Sequence, residues 1–241
     1  MNIEKFNDLN SLSIWAADFI SDLAAKCVKE KGFFSMSLCG GSSPHRLLSM
    51  LTAKNIDWSK VYIFWGDERF VDINDENSNY KMAYDIFLSK IKIPKKNIFI
   101  TPTNELTPEK TAYEYEETVI NFFTAHKDIE SLKTPAFDLV LLGAGNDGHT
   151  ASLFPNISEL EEKSRLVVNT KSPEYAVIDD RISFTFKLIN GADTILLLFS
   201  GKEKKEILER FLDNKNEKIL PIEYVDRSDK THVLIDLEIY N

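Results

Sequence analysis

Hydropathy along the chain alternates between two signatures, short continuous apolar runs and longer stretches with an apolar residue every third or fourth position. Over residues 9–31, Leu12, Trp15, Phe19, Leu23 and Cys27 step at three and four, predicting an amphipathic helix closed by Gly32. Residues 33–39 form a compact run of apolar and small side chains, the first buried strand. Ser43 is placed to cap the next helix and Pro44 suits its first position, so that helix runs to about residue 52. Residues 61–65 predict a second buried strand. Asn77 and Ser78 can cap a helix over 79–90, residues 98–100 read as a short strand, and Thr107-Pro108 opens a helix reaching His126. A loop over 127–135 then leads to residues 137–142, an apolar run carrying only Asp138. Further strands are expected at 166–169, 182–186, 194–199 and 233–235, with a helix over 202–212 and an extended segment over 221–225.

Strands alternating with helices imply parallel βαβ units. The expected fold class is therefore α/β, an open and mainly parallel sheet with helices on both faces. With no repeat, low-complexity tract or Gly/Ser linker, residues 1–241 read as a single α/β domain. There is room in it for a small extra lobe built from about residues 155–186.

The central run ends in the most chemically loaded stretch, FDLVLLGAGNDGHTASLFP over residues 137–155. Three glycines, Gly143, Gly145 and Gly148, surround Asn146 and Asp147, and His149 and Thr150 follow. In open α/β sheets ligands bind beyond the carboxyl ends of the strands, so an acid, an imidazole and a hydroxyl there form a candidate site. The alternative for His149 is a hydrogen-bonded turn histidine. Two other strand ends carry candidate groups. Gly40-Gly41-Ser42 leads into a helix N-terminus, where free backbone N–H groups favour a phosphate or carboxylate, although glycine turns between strand and helix are common anyway. After Trp65, Arg69 can grip a phosphate with its guanidinium fork, Asp67 or Glu68 holding it in place; a surface salt-bridge cluster is the other reading.

Composition narrows the ligand. Hydrophobic content of 43% and charged content of 28% suit a water-soluble chain that buries its own core. A net charge of -9 disfavours nucleic-acid or anionic-membrane partners, so any anionic ligand needs a few locally placed cations. The N-terminus has no apolar segment of the signal-peptide kind and no run approaches a membrane span, which leads us to expect a cytoplasmic protein. Cys27 and Cys39 are expected as buried, reduced thiols, with Cys39 near enough to the glycine loop to raise reactivity as an option. GAGNDG lacks the third glycine spacing of a dinucleotide fingerprint, and there is no Walker loop or GxSxG elbow. His45, His126, His149 and His232 do not pair at metal-ligand spacing.

Four stretches taken together resemble one family, the 6-phosphogluconolactonases of the glucosamine-6-phosphate isomerase/lactonase superfamily. They are LCGGSSP (38–44), WGDERFV with the downstream NSNYKMA (65–83), GAGNDGHTASLFP (143–155), and RISFTF with SGKEK (181–186 and 200–204). The resemblance implies a Rossmann-like fold of the sugar-phosphate isomerase type. It also implies hydrolysis of 6-phospho-D-glucono-1,5-lactone to 6-phosphogluconate in the pentose phosphate pathway, with no metal or organic cofactor. By the same resemblance His149 is the general base and Asp147 the acid accompanying it. Gly40, Gly41, Ser42, Arg69 and Lys204 fall where the family binds substrate and phosphate, and Arg181 lies at the rim of the site or one layer behind it. The Asn146 position departs from the family pattern. The partner implied is a small phosphorylated sugar lactone, the assembly a monomer or small homo-oligomer. Glucosamine-6-phosphate deaminase/isomerase is the enzyme alternative, but the Asn-Glu pair expected before the proline is replaced by Ser152-Leu153-Phe154. A non-catalytic sugar-phosphate-binding module is the other, and it has no need of both Asp147 and His149.

Overall fold

The computed structural model describes residues 1–104, 107–126, 135–174, 176–213 and 219–240. Six strands form a parallel sheet: β1 (Asn2–Phe6), β2 (Phe34–Leu38), β3 (Val61–Trp65), β5 (Leu139–Gly143), β8 (Ile195–Phe199) and β9 (Thr231–Asp236), in the order β1-β9-β8-β5-β2-β3. Between β3 and β5 in sequence, β4 (Asp67–Arg69) joins β6 (Val167–Lys171) and β7 (Asp180–Phe184) in a small antiparallel sheet, order β4-β7-β6.

Alternation along the central strands sends side chains to two cores. Met36, Leu38, Leu139, Leu141, Leu196 and Leu198 pack against α1 (Leu9–Lys31), α2 (Ser42–Leu51) and α3 (Asn79–Ile86). Val140, Leu142, Ile195 and Leu197 pack on the other face against α4 (Pro108–His126), the short α5 (Phe186–Ile189) and α6 (Lys205–Leu212). Helices therefore cover both faces, as a continuous apolar run without alternation requires. The one charge in the central run is neutralised locally. Asp138 is buried, accepts from Ser35 N and Oγ at 2.8 and 2.9 Å, and pairs with Lys31.

Several local expectations are corrected. The first strand is Asn2–Phe6, which hydropathy does not reveal because Ile3 faces solvent while Glu4 is half-buried. Asp67–Arg69 is a strand rather than a charged loop, made so by pairing with Asp180–Phe184. The small lobe thus borrows an upstream strand instead of being confined to residues 155–186. Gly41, at φ 101°, takes the cap position of α2 that Ser43 was expected to fill, and the helix begins at Ser42. Residues 98–100 make only one bridge, Ile98 to Ile63, and residues 221–224 form a 3₁₀ turn with Pro221 at its start. Helix α3 stops at Ile86, with a separate 3₁₀ turn over Leu88–Lys90. Phe186 ends the expected strand by opening α5. The expected loop at 127–135 lies, but for its last residue, outside the described residues.

The chain passes from one sheet to the other at Trp65, where backbone groups must be satisfied away from water. Buried Tyr115 of α4 does this, its hydroxyl accepting from Trp65 N at 2.8 Å and lying 3.2 Å from the Trp65 and Phe99 carbonyls. Tyr115→Phe strands the Trp65 N–H and is expected to cost about 1–3 kcal/mol in chemical denaturation. A variant with wild-type stability would show that another group takes over that bond.

Candidate active site

The carboxyl ends of β2, β5 and β8 lie side by side at the middle of the large sheet. The chain leaves β2 toward the α2 face and leaves β5 toward the opposite one, so the loops diverge and open a crevice at this switch point. The resulting cleft encloses about 600 Å³. Its lining contains all eight residues singled out in the sequence: Gly40, Gly41, Ser42, Arg69, Asp147, His149, Arg181 and Lys204.

The glycine turn after β5 brings Asp147 and His149 together. Gly148 N–H donates to the Gly145 carbonyl at 3.1 Å and Gly145 N–H to the His149 carbonyl at 2.8 Å, folding the segment back on itself. Asp147 then reaches two residues forward in the manner of an Asx turn, its Oδ1 accepting the His149 backbone N–H at 3.1 Å. The same oxygen lies 2.6 Å from His149 Nδ1. A carboxylate has no proton to give, so in the neutral ring this contact places the proton on Nδ1 and leaves Nε2 with its lone pair. Through these two contacts Asp147 is placed to orient the imidazole. Thr150, in contrast, turns away from the cleft and donates to the Gly143 carbonyl at 2.8 Å, closing the turn.

Gly145 is required by close approach. A Cβ there would lie 2.1 Å from His149 Nδ1, 2.2 Å from Cε1 and 2.7 Å from Asp147 Oδ1. Gly145→Ala is therefore expected to break the Asp147–His149 contact. The test is the imidazole NMR spectrum, in which the hydrogen-bonded Nδ1–H signal should disappear; an unaltered signal would mean that the turn relaxes around the methyl group.

The cationic wall comes from the small sheet. Arg69 of β4 and Arg181 of β7 are register partners, so two guanidinium side chains stand together. Arg69 donates through Nη1 to the Asn77 carbonyl at 2.6 Å, and Arg181 through Nε to the Ile178 carbonyl at 3.2 Å. Arg69 Nε is buried without a hydrogen-bond partner. Burial, and then the neighbouring charge of Arg69, pull Arg181 below the usual arginine range, while Asp67 and Glu68 act in the opposite sense. Such a pair favours an anion. Lys204, at the α6 side, contacts Asn146 Oδ1; burial pulls its ammonium below the usual lysine range against the opposing influence of Glu203 and Asp147.

Neither expected holder of the Arg69 guanidinium has that role here. Buried Glu68 caps α3, accepting from Asn79 N, Tyr80 N and Ser78 Oγ at 2.7, 2.8 and 3.1 Å and from Arg69's own N at 2.8 Å. Burial pushes it up to about 7 even against these N–H donors. Asp67 accepts from Ser152 Oγ at 2.8 Å. The charged cluster is thus two buried carboxylates with separate structural partners and one arginine facing the cleft. Sequence reasoning missed Asp67 and Ser152 as lining residues, though both sit inside the motifs it quoted. Cys39 also lines the cleft, but burial, with Asp67 adding to it, raises its thiol well above the ordinary range, which removes it as a nucleophile. Cys27 is likewise pushed by burial to about 11. Among the described residues no group of three His, Cys, Asp or Glu side chains is placed to hold a metal ion, and no helix is long and apolar enough to cross a membrane.

Comparisons with known proteins place the chain in one family. The profile of the family described as glucosamine-6-phosphate isomerases/6-phosphogluconolactonase matches residues 7–234. A curated 6-phosphogluconolactonase of Nostoc sp. is 32% identical over 236 residues, spanning 97% of this chain and 95% of the relative. The crystal structure of the Thermotoga maritima 6-phosphogluconolactonase superposes with a TM-score of 0.83 at 28% identity, covering 98% of this chain and 99% of that one. A monomeric glucosamine-6-phosphate deaminase superposes equally well, with a TM-score of 0.84 at 22% identity over 100% of this chain and 99% of the other, so the fold by itself does not separate the two chemistries. The chain belongs to the glucosamine-6-phosphate isomerase/6-phosphogluconolactonase family.

Proposed function

We propose that the cleft hydrolyses 6-phospho-D-glucono-1,5-lactone to 6-phospho-D-gluconate by general-base activation of water. The observation that carries this reading is the sharing of one cleft by an Asp147-oriented His149 and the Arg69–Arg181 pair. A δ-lactone carbonyl is already electrophilic, so the reaction needs an activated water and donors for the developing oxyanion rather than a cofactor. His149 Nε2 takes a proton from water as its oxygen attacks C1. Backbone N–H groups of the glycine loops are candidates to stabilise the tetrahedral oxyanion. Collapse breaks the bond between C1 and the ring oxygen, and the imidazolium returns its proton to that oxygen. Asp147 keeps the Nδ1 proton in place throughout. Arg69, Arg181 and Lys204, with the Gly40-Gly41-Ser42 loop, supply the positive field for the phosphate.

The same reading has the chain acting as one domain in the cytoplasm, as a monomer or small homo-oligomer, on a small phosphorylated substrate rather than nucleic acid. Its net charge of -9 supports that choice of partner. Purified protein offered fresh lactone and glucosamine 6-phosphate in parallel is expected to produce 6-phosphogluconate from the first and no ammonia from the second. Ammonia release without lactone turnover would favour the deaminase instead.

A further inference from the structure

Ser152 lies three residues after His149, is 1% exposed, and commits each of its three polar groups to a different strand of the small sheet. Its N–H donates to Ser183 Oγ on β7 at 3.2 Å. Its hydroxyl donates to Asp67 Oδ2 on β4 at 2.8 Å. Its carbonyl accepts from Thr170 Oγ1 on β6 at 2.7 Å. In the register of that sheet Asp67 faces Ser183, and two residues along Arg69 faces Arg181, which in turn faces Thr170. Period-two alternation places all of these on one face of the sheet. The residue before Ser152, Ala151, holds a left-handed φ of 49°, a conformation that persists only where its surroundings hold it.

We propose that Ser152 is a positioning residue that locks the guanidinium-bearing sheet to the His149 turn and so sets the separation of the two ends of the site. The inference rests on the lactonase reading above. In that substrate the phosphate on C6 and the carbonyl at C1 lie at different ends of one small molecule. Both ends must be met at once, and a misplacement of about 1 Å can cost on the order of 10²-fold in rate. Ser152 borders the cleft but does not act on the substrate, because it is almost wholly buried and its hydroxyl proton is engaged by Asp67. Its bonds transmit position from the sheet to the turn.

The test compares wild type and Ser152→Ala on the phosphorylated lactone and on unphosphorylated gluconolactone, which shares the ring but lacks the anchor. Ser152→Ala is expected to lose roughly 10–100-fold in kcat/KM on the phosphorylated substrate, mainly in kcat, while the unphosphorylated one stays near its wild-type value. Thr170→Val, nearly isosteric and cutting only the bond to the Ser152 carbonyl, shifts the same ratio in the same direction and serves if Ser152→Ala does not fold. Equal losses on both lactones, or an unchanged ratio in a folded variant, would overturn the positioning role. Wild-type protein inactive on both lactones would overturn the hydrolytic reading itself and the inference with it.

Discussion

Replacing His149 with alanine is expected to lower kcat/KM for 6-phosphogluconolactone by roughly 10²–10⁴-fold, the usual contribution of a positioned general base. At about 1.36 kcal/mol per decade this is about 3–5 kcal/mol of transition-state stabilisation. The geometry makes the loss specific. Asp147 Oδ1, 2.6 Å from Nδ1, holds the ring in one tautomer, and Phe154 packs against it with centroids 4.8 Å apart. Fold stability should change little, because the ring is partly exposed and its removal creates no enclosed cavity. Asp147→Asn should fall between wild type and His149→Ala, since an amide can donate to Nδ1 and reverse the tautomer. A folded His149→Ala protein that hydrolyses the lactone at the wild-type rate would remove this residue as the base.

Arg69→Ala carries the second large effect, and it falls on binding. Hydrogen bonds to charged groups are worth about 1.5–3 kcal/mol each, so KM for the phosphorylated lactone should rise roughly 10–150-fold. Unphosphorylated gluconolactone should barely notice the change. Arg69→Lys should recover only part of the loss, since an ammonium lacks the planar fork that meets two phosphate oxygens together. The buried Nε without a partner and the repulsion between Arg69 and Arg181 both favour an anion at this wall. Equal effects on the two lactones would refute a phosphate role and return Arg69 to a purely structural one.

What could be read from the chain divides along a physical line. Apolar runs such as Leu139–Gly143 and Ile195–Phe199 are buried on both faces, so composition alone marks them, and the three-four spacing of α1 is equally plain. Strand β1 was illegible because its side chains contradict their usual partition, with Ile3 out and Glu4 half in. Strand β4 was illegible for another reason. Three consecutive charged residues become a strand only through pairing with β7, more than a hundred positions downstream. Site residues followed the same rule. Asp147 and His149 contact within one turn, and local sequence suffices to bring them together. The true partner of Asp67 is Ser152, 85 positions away, and no local pattern points to it.

This cleft is expected to accelerate opening of a phosphorylated sugar lactone. The most direct test is the initial rate of 6-phosphogluconate formation from freshly generated lactone, measured against enzyme concentration and extrapolated to zero enzyme. The expected slope is proportional to wild-type protein above an intercept equal to spontaneous hydrolysis, and it is near zero for His149→Ala. A flat line for the folded wild-type protein would contradict that expectation.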